Sequence, residues 1–158
     1  MLRKVIFKYN TAGYDNELIL PVTPDSFEVS HGINVETINI HTLGDVSVAG
    51  YPTLETIKLE FILPATKYSF VVGPYNPDPY VFTRAFERWA DLRLVVRFVV
   101  SGTQINVPVV VESISYGEKD GTNDVYASLT LHEHRETQTV KVQTKAKTAN
   151  SSRGVPAA

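Results

Sequence analysis

The stretch VESISYGEKDGTNDVYASLTLHEHRE, residues 111–136, has the pattern of two β-strands joined by a turn. Apolar residues alternate through its second half, at Val125, Ala127, Leu129 and Leu131. Because successive side chains of a strand point to opposite faces, this spacing indicates a strand with one buried face. Between the two halves lie glycine, aspartate and asparagine, which tolerate the backbone angles of reversals. The stretch therefore predicts a β-hairpin that packs on a core by one face.

Most of the remaining chain also has strand patterns. In residues 53–63, apolar side chains alternate with threonine, lysine and glutamate, as in a half-buried strand. Residues 33–40 alternate at Ile33 and Val35 and again at Ile38 and Ile40. The segments RLVVRFVV (93–100) and QINVPVVVESIS (104–115) are more continuously apolar, which predicts burial on both faces. These patterns predict roughly eight to ten strands and a mainly β fold, either a sandwich or a barrel.

One segment, NPDPYVFTRAFERWADLR, residues 76–93, has the spacing of an amphipathic helix. Asp78 is a candidate N-cap and Pro79 suits the first helical position, so the predicted helix covers about residues 78–91. Phe82, Phe86 and Trp89 follow one another at intervals of four and three residues. This stripe predicts a helix that packs on the sheet through three aromatic core residues, rather than an aromatic platform for a ligand.

The composition limits the kinds of site that the protein can contain. The chain has 158 residues and no cysteine, which excludes disulfides, thiolate metal sites and cysteine nucleophiles. The first ten residues, MLRKVIFKYN, alternate and include no long apolar run. We therefore expect neither a signal peptide nor insertion into a membrane.

Charge is distributed unevenly along the chain. Residues 137–158 carry four bases and no acid, whereas residues 1–136 carry all 17 acids against 11 bases. Because nucleic-acid binding depends on cationic neutralisation of phosphates, the acidic body predicts no specific nucleic-acid binding. The basic tail is expected to contact an acidic neighbour.

The residues with chemical potential do not form a recognised catalytic motif. His132 and His134 are two residues apart on a predicted strand and therefore share a face, but no third metal ligand stands at a recognisable spacing. We interpret them as the polar end of a strand, and we expect no metal and no cofactor. The sequence has no nucleophile elbow, phosphate loop or dinucleotide fingerprint, so the chain is predicted not to be an enzyme.

An alternative function, binding of carbohydrate or cell wall by a β-sandwich, requires exposed aromatic rings in a groove. Its candidates are Tyr75, Tyr80 and Tyr116. A hydrolase is the third hypothesis, since scattered carboxylates always allow an acid and base pair.

Three stretches together carry a resemblance to a known family. They are LPVTPDSFEVS (20–30), the helix with Trp89 followed by an apolar strand, and SISYGEKDGTNDVYASLTLHEHR (113–135). In this order they resemble the N-terminal part of the LysM-bearing tail proteins encoded beside the hub genes of Gram-positive contractile phages and PBSX-like defective prophages. The resemblance runs from about Leu20 to Glu136. It implies a fold like that of tail-tube proteins, a β-sandwich or barrel with one packed helix.

The resemblance also implies a division of the chain. Residues 1–136 would form the tail-tube-like domain, and residues 137–158 a basic tail or linker. Family members continue into a LysM module, which binds peptidoglycan. Residues 137–158 are too few for such a module, so we expect this chain not to bind peptidoglycan. Five tail residues alternate like a strand or carry charge, and we predict that they take part in assembly: Val140, Lys141, Val142, Lys145 and Lys147.

The function that the resemblance implies is structural. The protein would form a ring, hexameric in our prediction, in the baseplate of a contractile phage tail or phage-tail-like particle. It would link the tail tube to the central hub and spike, with tube, hub and other baseplate proteins as partners. Assembly would take place in the cytoplasm of the bacterial host. The expected mechanism is templating, in which strand edges and polar faces are presented to identical copies.

Overall fold

The computed structural model describes residues 2–137, which contain nine β-strands and one α-helix. The predicted mainly β fold with one helix is confirmed. The elements are β1 (Val5–Thr11), β2 (Tyr14–Ile19), β3 (Ser26–Ser30), β4 (Ile33–Ile40), β5 (Gly44–Pro52), β6 (Thr56–Leu63), α1 (Tyr80–Asp91), β7 (Val96–Val100), β8 (Asn106–Glu118) and β9 (Val125–Glu133).

Seven strands form one antiparallel sheet in the order β2-β1-β7-β8-β9-β6-β3. The predicted hairpin of residues 111–136 is confirmed as β8 and β9, which pair from Val109 opposite Glu133 to Glu118 opposite Val125. Within residues 2–137 the sheet does not close into a barrel, because the edge strands β2 and β3 do not pair with each other. Strands β4 and β5 pair only with one another and form a separate two-stranded sheet.

The core lies between α1 and one face of the seven-stranded sheet. Phe86 is fully buried, and Phe82 and Trp89 are nearly so. Phe86 packs edge-on against Phe7 of β1, with ring centroids 5.3 Å apart, and Trp89 lies 4.9 Å from Tyr9. Aromatic pairs favour such tilted arrangements, which gives the helix a defined position on the sheet.

Burial alternates on the strands that were expected to be buried on both faces, so that expectation is wrong. In β7, Val96, Phe98 and Val100 are buried, whereas Arg97 is exposed. In β8, Val109 and Val111 face the core and the residues between and beyond them are less buried. The reason is that α1 covers only one face of the sheet, so apolar side chains on the other face stay in partial contact with solvent.

The helix begins two residues later than its predicted start. Pro79 occupies the N-cap position, and it has no side-chain capping bond. Asp78 lies in the preceding loop, where its backbone N–H donates to Oδ1 of Asn76 at 2.9 Å and its own Oδ1 accepts from the Tyr80 N–H at 3.2 Å. The second bond satisfies one of the unpaired N–H donors of the first helical turn, so Asp78 supports the start of the helix although it lies one residue before the N-cap position.

Candidate assembly surfaces

Strands β4 and β5 form an arm, residues 33–52, that extends away from the sheet. The arm continues the antiparallel pair of β3 and β6, whose last matched residues are Ser30 and Thr56. At 3.3 Å per residue, the eight residues of β4 extend about 26 Å. The arm is the long projection of the structure in residues 2–137, and it has no packed core of its own.

The arm has one apolar and one polar face, as its register shows. Ile38 pairs with Val46, and the neighbouring pairs on the same face are Glu36 with Val48 and Ile40 with Gly44. Ile38, Ile40, Val46 and Val48 therefore form an apolar face, with Glu36 at its end. The opposite face carries the polar residues Thr37, Asn39, Asp45 and Ser47, and toward the base of the arm it also carries the exposed Val35, which pairs with Ala49. Asn39 donates to Asp45 across the strands at 2.6 Å.

The apolar face of the arm is uncovered in the described part of the chain. Ile38 is 47% exposed, Val48 46% and Ile40 39%. The alternation in residues 33–40 correctly predicted a strand, but it also implied burial of one face, which residues 2–137 do not provide. Contiguous exposed apolar surface of this kind marks sites of protein interaction.

Hydrogen bonds fix the base of the arm to the sheet. The Thr53 backbone N–H and hydroxyl both donate to the Gly32 carbonyl, at 2.9 and 3.1 Å. Nδ1 of His31 lies 2.9 Å from Oε1 of Glu55. The Glu55 N–H in turn donates to Oε2 of Glu133 at 2.8 Å. These contacts give the arm a defined starting direction.

A groove of about 370 Å³ runs between α1 and the β1–β2 hairpin. We name it the helix groove. Its apolar lining includes Val81, Ala85, Leu92 and Leu94, and Arg84 and Arg88 also line it. Val81 is 39% and Leu92 60% exposed. Arg84 pairs with Asp78 at 2.8 Å, whereas Arg88 makes no ion pair within residues 2–137.

The sheet face opposite α1 is rich in small hydroxyl side chains. Register pairs Ser115 with Ser128 and Ser113 with Thr130, and these side chains point away from the buried Leu129 and Leu131. On β6 the same face carries Lys58 and Glu60, which lie opposite Glu28 and Ser26 of β3. The face is therefore polar on β6, β9 and the second half of β8, whereas Val99 and Val110 give it a half-buried apolar part on β7 and the first half of β8.

The three tyrosines proposed for carbohydrate binding do not share one groove. Tyr116 lines a cavity of about 780 Å³ with Phe70 and Tyr126, but Tyr75 and Tyr80 are not among its lining residues. The Tyr75 hydroxyl donates to the Ala65 carbonyl at 2.9 Å. Tyr80 and Tyr116 lie together, with ring centroids 6.1 Å apart.

Carboxylate oxygens accept hydrogen bonds from the hydroxyls of Tyr80 and Tyr116. Tyr80 donates to Glu118 of β8 at 2.7 Å, and Tyr116 of β8 donates to Glu87 of α1. These hydrogen bonds, together with desolvation, raise the pKa of both tyrosines above the ordinary value of 10.0. The pKa of Tyr126 is raised for the same reason by its bond to Asp120. The first two bonds join the helix region to β8 and have a structural role.

The histidines singled out by the sequence lie at the end of β9. His132 pairs with Thr56 and Val110 on the neighbouring strands, and its Nδ1 is buried without a hydrogen-bond partner among the described residues. The His134 N–H donates to the Pro108 carbonyl at 2.8 Å. No group of three or more His, Cys, Asp or Glu side chains in residues 2–137 has the arrangement of a metal site. No helix in the same range has the length and apolarity needed to cross a membrane.

The tail residues Val140, Lys141, Val142, Lys145 and Lys147, predicted to act in assembly, lie outside the described residues. What the structure does define is the point from which the tail departs. Residue 137 follows β9, whose last residue, Glu133, contacts Glu55 at the base of the arm. The arm and the tail therefore leave the sheet at the same end.

Comparisons with known proteins give one relative by sequence and a similar fold. No family model matches the chain. The chain is 24% identical over 158 residues to the uncharacterized protein YqbP of Bacillus subtilis (strain 168), covering 98% of this chain and 72% of that protein. The structure of the present chain is similar to a chain of the anti-feeding prophage baseplate, which was solved by electron cryo-microscopy with 6-fold symmetrisation. The TM-score is 0.51 and the identity 14%, over 84% of this chain and 89% of that chain. The similarity to the baseplate chain shows a shared fold.

Proposed function

We propose that the protein is a structural component of the baseplate of a contractile phage tail or phage-tail-like particle. In this role it forms a ring of identical copies, hexameric in our proposal, that links the tail tube to the central hub and spike. The proposal assigns no catalytic step and no cofactor to the chain. Its support comes from the arm, from the fold shared with a baseplate chain, and from the family resemblance of residues 20–136.

The uncovered apolar face of the arm is the observation that carries this proposal. Ile38, Ile40 and Val48 keep between 39% and 47% of their surface exposed in a single copy. Full burial of a Val or Ile side chain stabilises a protein or complex by roughly 1.5–3 kcal/mol relative to full exposure. Covering each half-exposed residue would therefore contribute about 1 kcal/mol. The apolar residues that share one face of the arm, Ile38, Ile40, Val46 and Val48, have their missing cover in another molecule in our proposal. A ring of copies supplies that cover to every arm.

The polar sheet face suits the inside of such a ring. Ser113, Ser115, Ser128 and Thr130 give this part of the face uncharged hydroxyl side chains. Glu28 lies opposite Lys58 in register, and Glu60 leaves this part of the face with one net negative charge. We therefore propose that this face lines the lumen, while α1 faces outward or toward neighbours.

The proposed division into a domain, residues 1–136, and a basic tail, residues 137–158, fits this assembly. The tail carries four positive charges and departs beside the base of the arm. Opposite charges at an interface speed association and fix its orientation. In our proposal the tail, with Lys141, Lys145 and Lys147, contacts an acidic surface of the tube, the hub or a neighbouring copy.

Incorporation into particles tests the proposed function. A host strain lacking the gene is complemented with tagged native protein or with the variant Ile38→Ser/Val48→Ser, and particles are collected by sedimentation and probed for the tag. The matched control, Thr37→Ala/Ser47→Ala, changes the polar face of the same two strands. We expect native and control proteins in the particles and at least about tenfold less of the apolar-face variant.

Two results would contradict the proposal. One is the recovery of intact, functional particles from the strain without the gene. The other is the presence of native protein only in the soluble fraction while particles form normally.

A further inference from the structure

We propose that the arm of one copy docks, with its apolar face down, in the helix groove of the next copy, so that copies associate head to tail. This inference rests on the proposed ring and names the receptor of the arm within it. The occupant of the helix groove is therefore a second copy of this chain.

The two surfaces match in apolar character. The arm presents Ile38, Ile40, Val46 and Val48 on one face, and the helix groove presents Val81, Ala85, Leu92 and Leu94. In a single copy Val81 and Leu92 of the groove are 39% and 60% exposed, whereas Leu94 is partly buried against the core. Neither surface finds a partner within residues 2–137.

The two surfaces also match in charge. The arm, residues 33–52, contains two acids and no lysine or arginine. Residues 80–94, which include α1 and the groove residues after it, contain three arginines and two acids. The arm side of one copy is therefore acidic where the helix side of the next is basic, and this complementarity favours contact between different sides over contact between like sides.

One ion pair is specified by the geometry. Glu36 shares the apolar face of the arm, opposite Val48, and has no partner among the described residues. On the groove, Arg84 is held by Asp78, which leaves Arg88 as the arginine free to accept a new partner. A bond between Glu36 of one copy and Arg88 of the next would set the register of the arm along the groove.

The positions of arm and groove explain why the contact builds a ring. The arm extends from β3 and β6 at one side of the sheet, and the helix groove borders β1 and β2 at the other. A contact between two different surfaces of identical chains is heterologous, and it repeats from copy to copy until the rotation closes. A symmetric pair of arms would instead stop at a dimer.

Charge reversal in solution tests this contact. Sedimentation velocity over a concentration series would compare native protein with Glu36→Arg, Arg88→Glu and the double variant Glu36→Arg/Arg88→Glu. In the double variant the acid and the base exchange positions, so each interface of a head-to-tail ring again contains one pair of opposite charges. We expect each single reversal to weaken association at least about fivefold and the double reversal to restore it to near the native value.

A matched control separates a specific pair from a change of net charge. Glu112 is exposed on β8, away from the arm and outside the lining of the groove, so Glu112→Arg/Arg88→Glu has the same net charge as the double reversal. We expect this control to associate as weakly as Arg88→Glu alone. Thermal melting of every variant verifies that α1 and the sheet remain folded.

The remaining outcomes are distinguishable. If Val46→Ser/Val48→Ser weakens association but the double reversal does not restore it, the helix groove is not the receptor, and the proposed ring stands with a different contact. If the native protein stays monomeric throughout, or if the arm substitutions change nothing, the inference and the arm's part in the proposed function are both overturned.

Discussion

Glu55 and Glu133 hold each other through two hydrogen bonds at the point where the arm meets the sheet. The Glu133 backbone N–H donates to the Glu55 carbonyl at 2.8 Å, and the Glu55 N–H donates to Oε2 of Glu133 at the same distance. Oε1 of Glu55 also lies 2.9 Å from Nδ1 of His31, which stands between β3 and β4. The pair ties the start of β6, the end of β9 and the arm into one unit, beside the departure of the tail.

Replacing the Glu133 side chain should loosen this unit. Glu133→Ala leaves the partly buried Glu55 N–H without its charged acceptor, so we expect the free energy of unfolding to fall by about 1–2 kcal/mol. Glu133→Gln keeps an oxygen acceptor and should lose less. Urea unfolding measures the stability, and hydrogen exchange at the Glu55 amide measures the local opening. Unchanged exchange in Glu133→Ala would show that the bond does not hold the arm base.

Truncation of Trp89 should destabilise the whole fold. Its ring is 4% exposed and lies within 6 Å of three other aromatic rings, those of Phe7, Tyr9 and Phe86. Large aromatic truncations in cores cost about 3–5 kcal/mol, and we expect Trp89→Ala to fall in this range in urea unfolding. Leu92→Ala, on the exposed side of the same helix region, should change stability by less than about 0.5 kcal/mol. Equal effects of the two substitutions would contradict the packing described above.

The tyrosine bonds should make stability depend on alkaline pH. In the folded protein the neutral Tyr80 and Tyr116 donate to Glu118 and Glu87, so their pKa values lie above that of an unfolded chain. The stability from these bonds is complete below about pH 10 and is lost as the pH rises through the raised pKa. We expect Tyr80→Phe/Tyr116→Phe to melt at a lower temperature than the native protein at pH 8.

The difference in melting temperature between that variant and the native protein should shrink as the pH rises above about 10. Tyr14→Phe, at the 75% exposed first residue of β2, is the control and should follow the native protein at every pH. A difference that stays constant across the pH range would mean that the two hydroxyl bonds do not contribute.

Removal of the tail should impair assembly without impairing folding. A chain that ends at Glu136 lacks the four tail bases and keeps every described strand and the helix. We expect it to melt like the full chain but to enter particles poorly. High salt should impose a similar defect on the full chain, because exposed charges are screened within about 10 Å at 0.1 M. Equal incorporation of both chains would remove any assembly role from Val140, Lys141, Val142, Lys145 and Lys147.

The parts of the fold that were predictable from sequence are those whose cover comes from the same chain. Val125, Leu129 and Leu131 alternate because one face of β9 packs on the core, and Phe86 and Trp89 have helical spacing because they pack on the sheet. In both cases the period of the apolar residues reports the direction of burial. The start of the helix was predicted less closely, since the N-cap position falls on Pro79, although Asp78 does accept from the Tyr80 N–H of the first turn.

The arm face and the helix groove were harder to predict because the described residues leave them uncovered. The alternation at Ile38 and Ile40 correctly indicates a strand, but a periodic pattern does not tell whether the covering residues belong to the same molecule. On α1, the dominant aromatic stripe hid a second, weaker apolar set at Val81, Ala85 and Leu92. Its spacings of four and seven residues were the available signal.

Long-range polar contacts were beyond sequence reasoning. Tyr80 and Glu118 are 38 residues apart, and Glu55 and Glu133 are 78 apart. No spacing rule relates such pairs, because their meeting depends on the strand order of the finished sheet.

Electron cryo-microscopy of particles from the producing host tests the central claim most directly. The account predicts a ring of this chain on the axis of the particle, between the tail tube and the hub. It also predicts that the residues of each arm, 33–52, are covered by a neighbouring copy and that the hydroxyl-rich face is turned to the lumen. A particle whose axial density contains no copy of this chain, or a ring in which Ile38 and Val48 remain open to solvent, would contradict it.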